Sequence, residues 1–213
     1  MTMRERIENG RLYTDMCEGL PQERALCGQY VRMLNQTTPF EIEERLLAME
    51  KLFGKQVAAW IDPPFYCSYG KNISIGAESC IGSNCNFVDD GRITIGERVI
   101  IDPAVTITTV GRPLHPDLRG YMYAAQVTIG NNCHMGANVT VCPGVTVGEN
   151  SVIAAGSVVT EDIPANCYAA GNPCRVIRPL DAHDERFYFH DRPILKEDLE
   201  EESLLRRDGM VCG

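Results

Sequence analysis

The sequence predicts a mainly β protein, built as a parallel β-helix of hexapeptide repeats with a helical segment at its N-terminal end. The main observation is a six-residue period in residues 127–164, where every block opens with an aliphatic residue and has a small or β-branched residue in fifth place. The openers are Ile129, Met135, Val141, Val147, Ile153 and Val159, and the fifth places are Cys133, Val139, Val145, Ser151, Ser157 and Ile163. This period is typical of a parallel β-helix, because a single repeat cannot bury its apolar residue and the coils must stack to share a core.

Two helices are predicted before the repeats, over residues 21–35 and 39–53. The second has a start signal, in which Thr38 caps the helix, Pro39 takes its first position and Glu41 its third. Its apolar residues recur at roughly helical spacing and must pack on another element; they are Leu46, Leu47, Met49, Leu52 and Phe53. Because the terminal units of repeat folds are capped, we expect this segment to cover the open end of the β-helix.

Further repeats follow the linker at residues 62–64, and two departures from their period mark candidate sites. The apolar openers there are Ile73, Ile75, Ile81, Phe87, Ile93, Ile95, Ile101 and Ile107. The stretch 89–94 breaks the period by two residues, which predicts a bulged corner that can aim Asp89 and Asp90 at a site. Between residues 107 and 127 the period disappears. A loop of this length in a compact repeat fold is usually functional, and it contains His115.

These patterns divide the chain into three segments. Residues 1–56 form an N-terminal helical cap, and residues 57–178 form the hexapeptide β-helix with an extruded loop at 108–126. Residues 179–213 form a charged C-terminal tail, in which we interpret the acidic run at 197–202 as a solvated helix face.

The composition argues against several classes of protein. The net charge of −9 and the pI near 5.0 do not suit a nucleic-acid-binding protein, which needs a basic surface. No apolar run approaches the length of a membrane span, and residues 1–13 are more polar than a signal peptide. The ten cysteines include no C-x-x-C pair and no zinc-ligand spacing with histidine. We therefore expect no metal, reduced thiols and a cytoplasmic location.

Four stretches carry a resemblance to a known family: ERIENGRLYTDMCEGLP at 5–21, PPFYCSYG at 63–70, ITIGERVIIDPAV at 93–105 and AAGNPCRVIR at 169–178. On these residues the chain resembles, almost end to end, the galactoside/maltose O-acetyltransferase family of hexapeptide acyltransferases, and most of all its galactoside acetyltransferases. The resemblance implies a left-handed β-helix that assembles into homotrimers. It also implies that acetyl-CoA, the co-substrate, lies in the groove between neighbouring subunits.

The resemblance also assigns the residues that bind the coenzyme. Ala137, Ala155 and Thr160 match positions that line the acetyl-CoA groove, and Arg175 and Arg178 match arginines that face its phosphates. Small residues let a flat ligand approach the backbone, and guanidinium groups suit phosphate. Simple coil packing stays an alternative role for the two alanines.

On the acceptor side the resemblance is mixed. The residues that match the sugar-binding positions of the family, or replace them, are Asp15, Arg24, Ser68, Asp90, Arg112, Met122 and His134. The departures are large, because Cys80 and Gly82 stand where the family has Tyr and Asn, and His134 stands where it has Trp. The identity of the sugar therefore does not carry over from the family.

The expected reaction is direct acetyl transfer from acetyl-CoA to a hydroxyl of a sugar or a similar small acceptor, assisted by a general base. Arg112 occupies the position of the family's catalytic His, and a guanidinium group cannot accept a proton in a protein. Two histidines are candidates for the base, His115 on the same loop and His134 in the following repeat. We choose His115, because a loop can supply three residues of reach more easily than a packed coil can.

Two other readings stay open at this point. The first is a non-catalytic hexapeptide trimer that binds CoA, and Arg112 motivates it. The second is a metal-dependent hydratase on the same kind of coil. That reaction needs three well-placed histidines, and only His115 and His134 lie in or beside the repeats.

Overall fold

The computed structural model describes residues 1–195 together with positions 197 and 199. It shows a left-handed parallel β-helix of about six turns with helices at its N-terminal end, as the repeat pattern and the resemblance predict. Part of the predicted C-terminal segment 179–213, including most of the acidic run at 197–202, lies outside the described residues. Among the described residues no helix is long and apolar enough to cross a membrane.

Three helices precede the coils: α1 (Met3–Glu8), α2 (Leu20–Asn35) and α3 (Ile42–Phe53). The prediction of α2 is confirmed, whereas α1 is absent from the sequence analysis. Its start signal is nevertheless present, because the Thr2 hydroxyl accepts from the Glu5 amide at 3.2 Å and the Glu5 carboxylate accepts from the Thr2 amide at 2.7 Å. This reciprocal pair is a capping box, which satisfies two amides at the helix start.

The start of α3 corrects the prediction, since the helix begins at Ile42 rather than at Pro39. The Thr38 side chain does not cap it; instead the Thr38 amide donates to the Glu41 carboxylate at 2.6 Å. The Thr38 carbonyl accepts from Arg45 Nη2 at 3.2 Å, and the Arg45 side chain is buried. Because Arg45 holds this carbonyl, residues 38–41 form a turn ahead of the helix.

The apolar face of α3 is narrower than predicted. Met49, Leu52 and Phe53 are buried in the core that α2 and α3 share with the first coil, but Leu46 and Leu47 are half exposed. Phe53 lies against Phe65 of the first coil, with ring centroids 6.2 Å apart. The helices therefore cover the N-terminal end of the apolar core.

The strands follow in chain order, three to a coil. The first two coils contain β1 (Trp60–Ile61), β2 (Phe65–Cys67), β3 (Ile73–Ile75), β4 (Cys80–Ile81), β5 (Cys85–Val88) and β6 (Ile93–Ile95). The third contains β7 (Ile100–Ile101), β8 (Thr106–Thr108), a hairpin of β9 (Val110–Gly111) and β10 (Tyr123–Ala124), and β11 (Val127–Ile129). The remaining coils contain β12 (His134–Met135), β13 (Thr140–Val141), β14 (Thr146–Val147), β15 (Val152–Ile153), β16 (Val158–Val159) and β17 (Cys167–Ala170).

Stacked coils give the molecule the shape of a three-sided prism. The first face contains β1, β4, β7, β12, β15 and β17; the second contains β2, β5, β8, β13 and β16; the third contains β3, β6, β11 and β14. Strand β18 (Arg175–Pro179) extends the first face in the antiparallel direction. The chain then forms a small hairpin of β19 (Phe187–Tyr188) and β20 (Arg192–Pro193), and short 3-10 helices cover Pro116–Leu118 and Phe189–Asp191.

The residues that open the repeats fill the core of the prism. On the first face, Ile61, Ile81, Ile101, Met135 and Ile153 stack at the same register and are at most 1% exposed. The small fifth-place residues are buried as well. The period in the sequence thus corresponds to the inward-facing positions of successive strands.

The corners use a backbone conformation that few residues adopt. Asn84, Asn132, Asn138, Asn150 and Asn166 have φ between 57° and 60°. Asparagine tolerates this left-handed region better than most residues. A second constraint is the close approach of neighbouring coils, since a Cβ at Gly148 would lie 2.3 Å from the Ala165 amide nitrogen.

We predict that Gly148→Ala lowers the free energy of unfolding by about 1–3 kcal/mol, because overpacking forces the two coils apart. The matched control is Gly28→Ala in α2, where a Cβ meets nothing within 4 Å. There the loss of backbone freedom in the unfolded chain should stabilise the protein by roughly 0.5–1 kcal/mol. Urea unfolding of both variants checks this, and equal stabilities would contradict the proposed close approach.

Candidate active site

The bulged corner between the second and third faces brings two carboxylates into the interior. Inward-facing Phe87 and Ile95 lie eight positions apart, whereas Val141 and Val147 in a later coil lie six apart. Asp89 and Asp90 occupy the longer corner and are 0% and 6% exposed. Buried carboxylates require hydrogen-bond donors, and these come from distant parts of the chain.

Asp89 fixes the shape of this corner. Its Oδ1 accepts hydrogen bonds from the amides of Ser68 and Tyr69, each at 2.8 Å. Asn72 Nδ2 donates to the Asp89 carbonyl at 2.6 Å. Burial raises the pKa of Asp89 to about 6, although the two backbone amides lower it in part. Asp89 thereby holds the corner of the first coil against that of the second.

Asp90 connects the corner to the N-terminal segment and to the extruded loop. The Tyr13 hydroxyl donates to Asp90 Oδ2 at 2.8 Å. Tyr13 and Met122 exchange two backbone hydrogen bonds of 2.9 Å, which attach the N-terminal segment to the loop beside β10. Burial raises the pKa of Asp90, and the Tyr13 hydroxyl opposes this rise. Tyr13 is not among the site residues predicted from the sequence.

A polar pocket of about 840 Å³ opens beside Asp90. Its walls come from α1, α2, the corners of the first two coils and the strand end after β10; the charged lining residues are Arg4, Glu8, Glu23, Lys71, Asp90 and Arg92. Glu23 forms ion pairs with both Arg4 and Lys71. Carboxylates, guanidinium groups and amides can donate to and accept from a ligand rich in hydroxyl groups.

Most of the predicted acceptor residues gather at this corner. Asp15 and Arg24 form an ion pair near Asp90, where the Asp15 carboxylate raises the pKa of Asp90 and the Arg24 guanidinium lowers it. The Ser68 amide donates to Asp89 Oδ1. Met122 is buried beside Tyr13. Their assignment to acceptor binding stays a prediction.

The loop residues Arg112 and His115 are less enclosed. Arg112 Nη1 donates to the Arg119 carbonyl at 2.8 Å, which braces the loop. The His115 side chain is 65% exposed, and its Nδ1 lies 3.9 Å from Asp117 Oδ2. This distance is too long for a hydrogen bond, so the pair with Asp117 does not fix the orientation of the His115 ring, and its role as the base stays a prediction.

His134 lies elsewhere, at the corner between the first and second faces. Its Nε2 is 3.1 Å from Asp102 Oδ2, which belongs to the coil before. Asp102 is not among the site residues predicted from the sequence, although the repeat pattern contains a signal for it. The place that directly follows the aliphatic opener is glycine in the neighbouring coils, at Gly82 and Gly136, but aspartate at 102.

The predicted coenzyme residues are distributed over two corners and the end of the first face. Ala137 and Ala155 lie at the corner of His134, where the Gly156 amide donates to the Ala137 carbonyl at 2.8 Å. Thr160 follows β16 at the corner between the second and third faces. Arg175 and Arg178 lie on β18, paired with Glu161 at 3.1 Å and with Asp184 at 2.6 Å.

Among the residues that the structure describes, no group of three or more His, Cys, Asp and Glu side chains is placed to hold a metal ion.

Comparisons with known proteins agree with the fold. Residues 126–161 match the family model for the hexapeptide repeat of succinyl-transferase. The chain is 47% identical over 194 residues to galactoside O-acetyltransferase of Escherichia coli strain K12, covering 90% of this chain and 96% of that protein. It is 38% identical over 194 residues to galactoside O-acetyltransferase of Lactococcus lactis, covering 89% and 94%.

Solved structures give the same picture. A galactoside acetyltransferase in complex with coenzyme A superposes with a TM-score of 0.86 at 45% identity, covering 92% of this chain and all of that one. A maltose O-acetyltransferase from Clostridium difficile 630 superposes with a TM-score of 0.80 at 40% identity, covering 85% of this chain and 98% of that one.

The titration of Asp89 gives a prediction for stability. Because burial raises its pKa, the contribution of this group to stability is complete below 3.8, its ordinary value, and is lost as the pH rises through about 6. Asp89→Asn has no such loss. Relative to the wild type, the variant should gain up to about 3 kcal/mol of stability between pH 4 and 7.

Thermal unfolding across this pH range measures the difference. The exposed Asp117 supplies the control, Asp117→Asn, whose stability relative to the wild type should stay constant. A constant difference for Asp89→Asn as well would show that Asp89 is not buried as described.

Proposed function

Because the chain belongs to the family of galactoside and maltose O-acetyltransferases built on hexapeptide repeats, we propose that it transfers the acetyl group of acetyl-CoA to a hydroxyl group of a sugar or a similar small acceptor. The observation that carries this proposal is the near full-length match to a galactoside acetyltransferase whose structure contains coenzyme A. The protein is an acyltransferase with acetyl-CoA as its co-substrate.

The pocket beside Asp90 supports a polar acceptor; of the predicted acceptor residues Asp90 lines it, and the others lie around the same corner. We assign acceptor binding to Asp15, Arg24, Ser68, Asp90 and Met122, with Arg112 on the adjoining loop. The carboxylates and guanidinium groups suit the hydroxyl groups of a sugar. Met122 is buried beside Tyr13, and its backbone joins the loop to the N-terminal segment.

We assign coenzyme binding to Ala137, Ala155 and Thr160 along the coils and to Arg175 and Arg178 on β18. Both guanidinium groups are about half exposed, and their present partners are surface carboxylates. Exposed ion pairs contribute little to stability, so the phosphates of the coenzyme can replace Glu161 and Asp184 as partners at small cost.

We propose a homotrimer, with each active site formed between neighbouring subunits. Within one chain, the acceptor residues around Asp90 lie at one corner of the prism, whereas Ala137, Ala155 and His134 lie at another, with the second face between them. One site can combine both sets if the second comes from another copy. Exposed apolar side chains on the first face, Ile100, Val176 and Ile177, offer a surface for the contact.

We also place the protein in the cytoplasm. Eight of the nine cysteines in the described part of the chain carry free thiols, whereas Cys80 is disulfide-bonded; a majority of free thiols suits a reducing compartment.

A panel of sugars and small alcohols tested with acetyl-CoA examines the reaction, with release of free CoA thiol as the readout.

The double variant Arg175→Ala/Arg178→Ala should weaken CoA binding roughly tenfold or more, because charge-assisted hydrogen bonds to phosphate are lost. Arg32→Ala on α2 removes one cation at the other end of the chain and should leave binding unchanged. A wild-type protein that binds CoA but acetylates no acceptor would favour the non-catalytic CoA-binding trimer.

Mixed oligomers test the shared site. Asp90→Asn removes the acceptor carboxylate, and Ala155→Trp fills the coenzyme groove at an exposed position; each alone should be nearly inactive. When both variants are co-expressed and mix at random in trimers, about one site in four combines Asp90 from one subunit with Ala155 from the next. Activity should therefore return to about that fraction of the wild-type value. Sedimentation should show trimers. If the mixture is no more active than its parts, the site lies within one subunit.

A further inference from the structure

We propose that His134, held by Asp102, is the general base of this transferase. The proposal rests on the proposed function and names the group that removes the proton from the acceptor hydroxyl. It differs from our sequence-based choice of His115, because the structure gives His134 a carboxylate partner that the sequence analysis did not identify.

The hydrogen bond to Asp102 prepares the imidazole for this role. A carboxylate accepts but does not donate when it is ionised, so the Asp102 Oδ2 contact at 3.1 Å places the ring proton on Nε2. The neutral ring then carries its lone pair on Nδ1, the nitrogen that can accept a proton. In the described structure no hydrogen bond occupies that nitrogen, and the side chain is 43% exposed.

The surroundings leave room for a substrate beside the pair. Asp102 lies between Gly82 and Gly136 in the coils before and after it. Neither glycine has a side chain to cover the carboxylate. The outward neighbours of His134 on the first face are Ile100 and Val152, which donate no competing hydrogen bond to the ring.

The position also fits the coenzyme residues. Ala137 directly follows Gly136 at the same corner, and Ala155 lies one coil further on. Strand β18, with Arg175 and Arg178, is three strand positions from β12 in the first face, roughly 14 Å at about 4.8 Å per strand. A coenzyme whose phosphates lie at β18 can therefore extend along this corner and bring its thioester to His134.

The alternatives on the loop are less suitable. Arg112 stays protonated and donates to the Arg119 carbonyl. His115 Nδ1 lies 3.9 Å from Asp117 Oδ2, beyond hydrogen-bond distance, so within residues 1–195 no hydrogen bond selects its tautomer or orients its ring.

The step balances without a further reactant. His134 Nδ1 takes the proton of the acceptor hydroxyl as the oxygen forms a bond to the acetyl carbonyl carbon. The carbon–sulfur bond of acetyl-CoA breaks, and the sulfur leaves with the electron pair. The imidazolium returns the proton to that sulfur, so the products are the acetyl ester and CoA with a free thiol. Asp102 is a positioning residue, since it acts through His134.

Steady-state kinetics of His134→Ala test the proposal on an acceptor that the wild type acetylates. We expect kcat to fall about 10²–10⁴-fold, the usual share of general-base catalysis, while calorimetric CoA binding is unchanged. Added imidazole should raise the kcat of this variant. Asp102→Asn should lower kcat with the acceptor KM unchanged, and the ¹⁵N spectrum of His134 should show a shift away from the Nε2–H tautomer.

His183 provides the matched control, since its Nε2 lies 3.2 Å from Asp191 in a second exposed imidazole–carboxylate pair. His183→Ala should keep wild-type kcat. Wild-type kcat in His134→Ala, or a loss explained by lost CoA binding, overturns the proposal, and a loss confined to His115→Ala returns the base to the loop. These outcomes differ from failure of the proposed function itself, in which the wild type releases no thiol with any acceptor.

Discussion

The close stacking of successive coils is the constraint on which the rest of this structure depends. Parallel strands bond to the coil before and the coil after, so each inward residue lies over its counterpart, as Ile81 lies over Ile101. That spacing leaves no room for a side chain at Gly148 and requires left-handed backbone at corners such as Asn138. Side chains with freedom to bind a ligand are therefore confined to the outer faces, to the corners and to segments inserted between strands.

The corner that contains Asp89 and Asp90 uses this freedom at the cost of burying two carboxyl groups. Two extra residues turn Asp89 and Asp90 inward, where burial raises the pKa of both carboxyl groups. The backbone amides of Ser68 and Tyr69 and the Tyr13 hydroxyl offset part of this cost. Because these donors come from the first coil and from the N-terminal segment, the corner, the loop and the first 24 residues form one unit around the pocket.

The residues that we assign to the acceptor and to the coenzyme lie mainly at two corners of the prism. The second face separates Asp90 from His134, Ala137 and Ala155. The stacked coils fix that separation, since the interior strands of each face are bonded to the coil before and to the coil after. The homotrimer that we propose would join the two sets and would cover the exposed apolar residues of the first face.

The sequence by itself determined the β-helix, its register and the inserted loop. Each repeat spans six consecutive residues, so its period can be read directly from the order of residues. The sequence also placed Asp89 and Asp90 at a corner that breaks the period, and it located α2. The turn before α3 could not be predicted from the sequence, because it depends on the buried Arg45 side chain, which donates to the Thr38 carbonyl. Only the tertiary structure brought Tyr13 to Asp90 across 77 positions and Asp102 to His134 across 32. The stacking of coils decides such pairs, because residues in neighbouring coils lie side by side. The number of positions between them in the sequence changes when a loop is inserted, so a local sequence pattern does not reveal them.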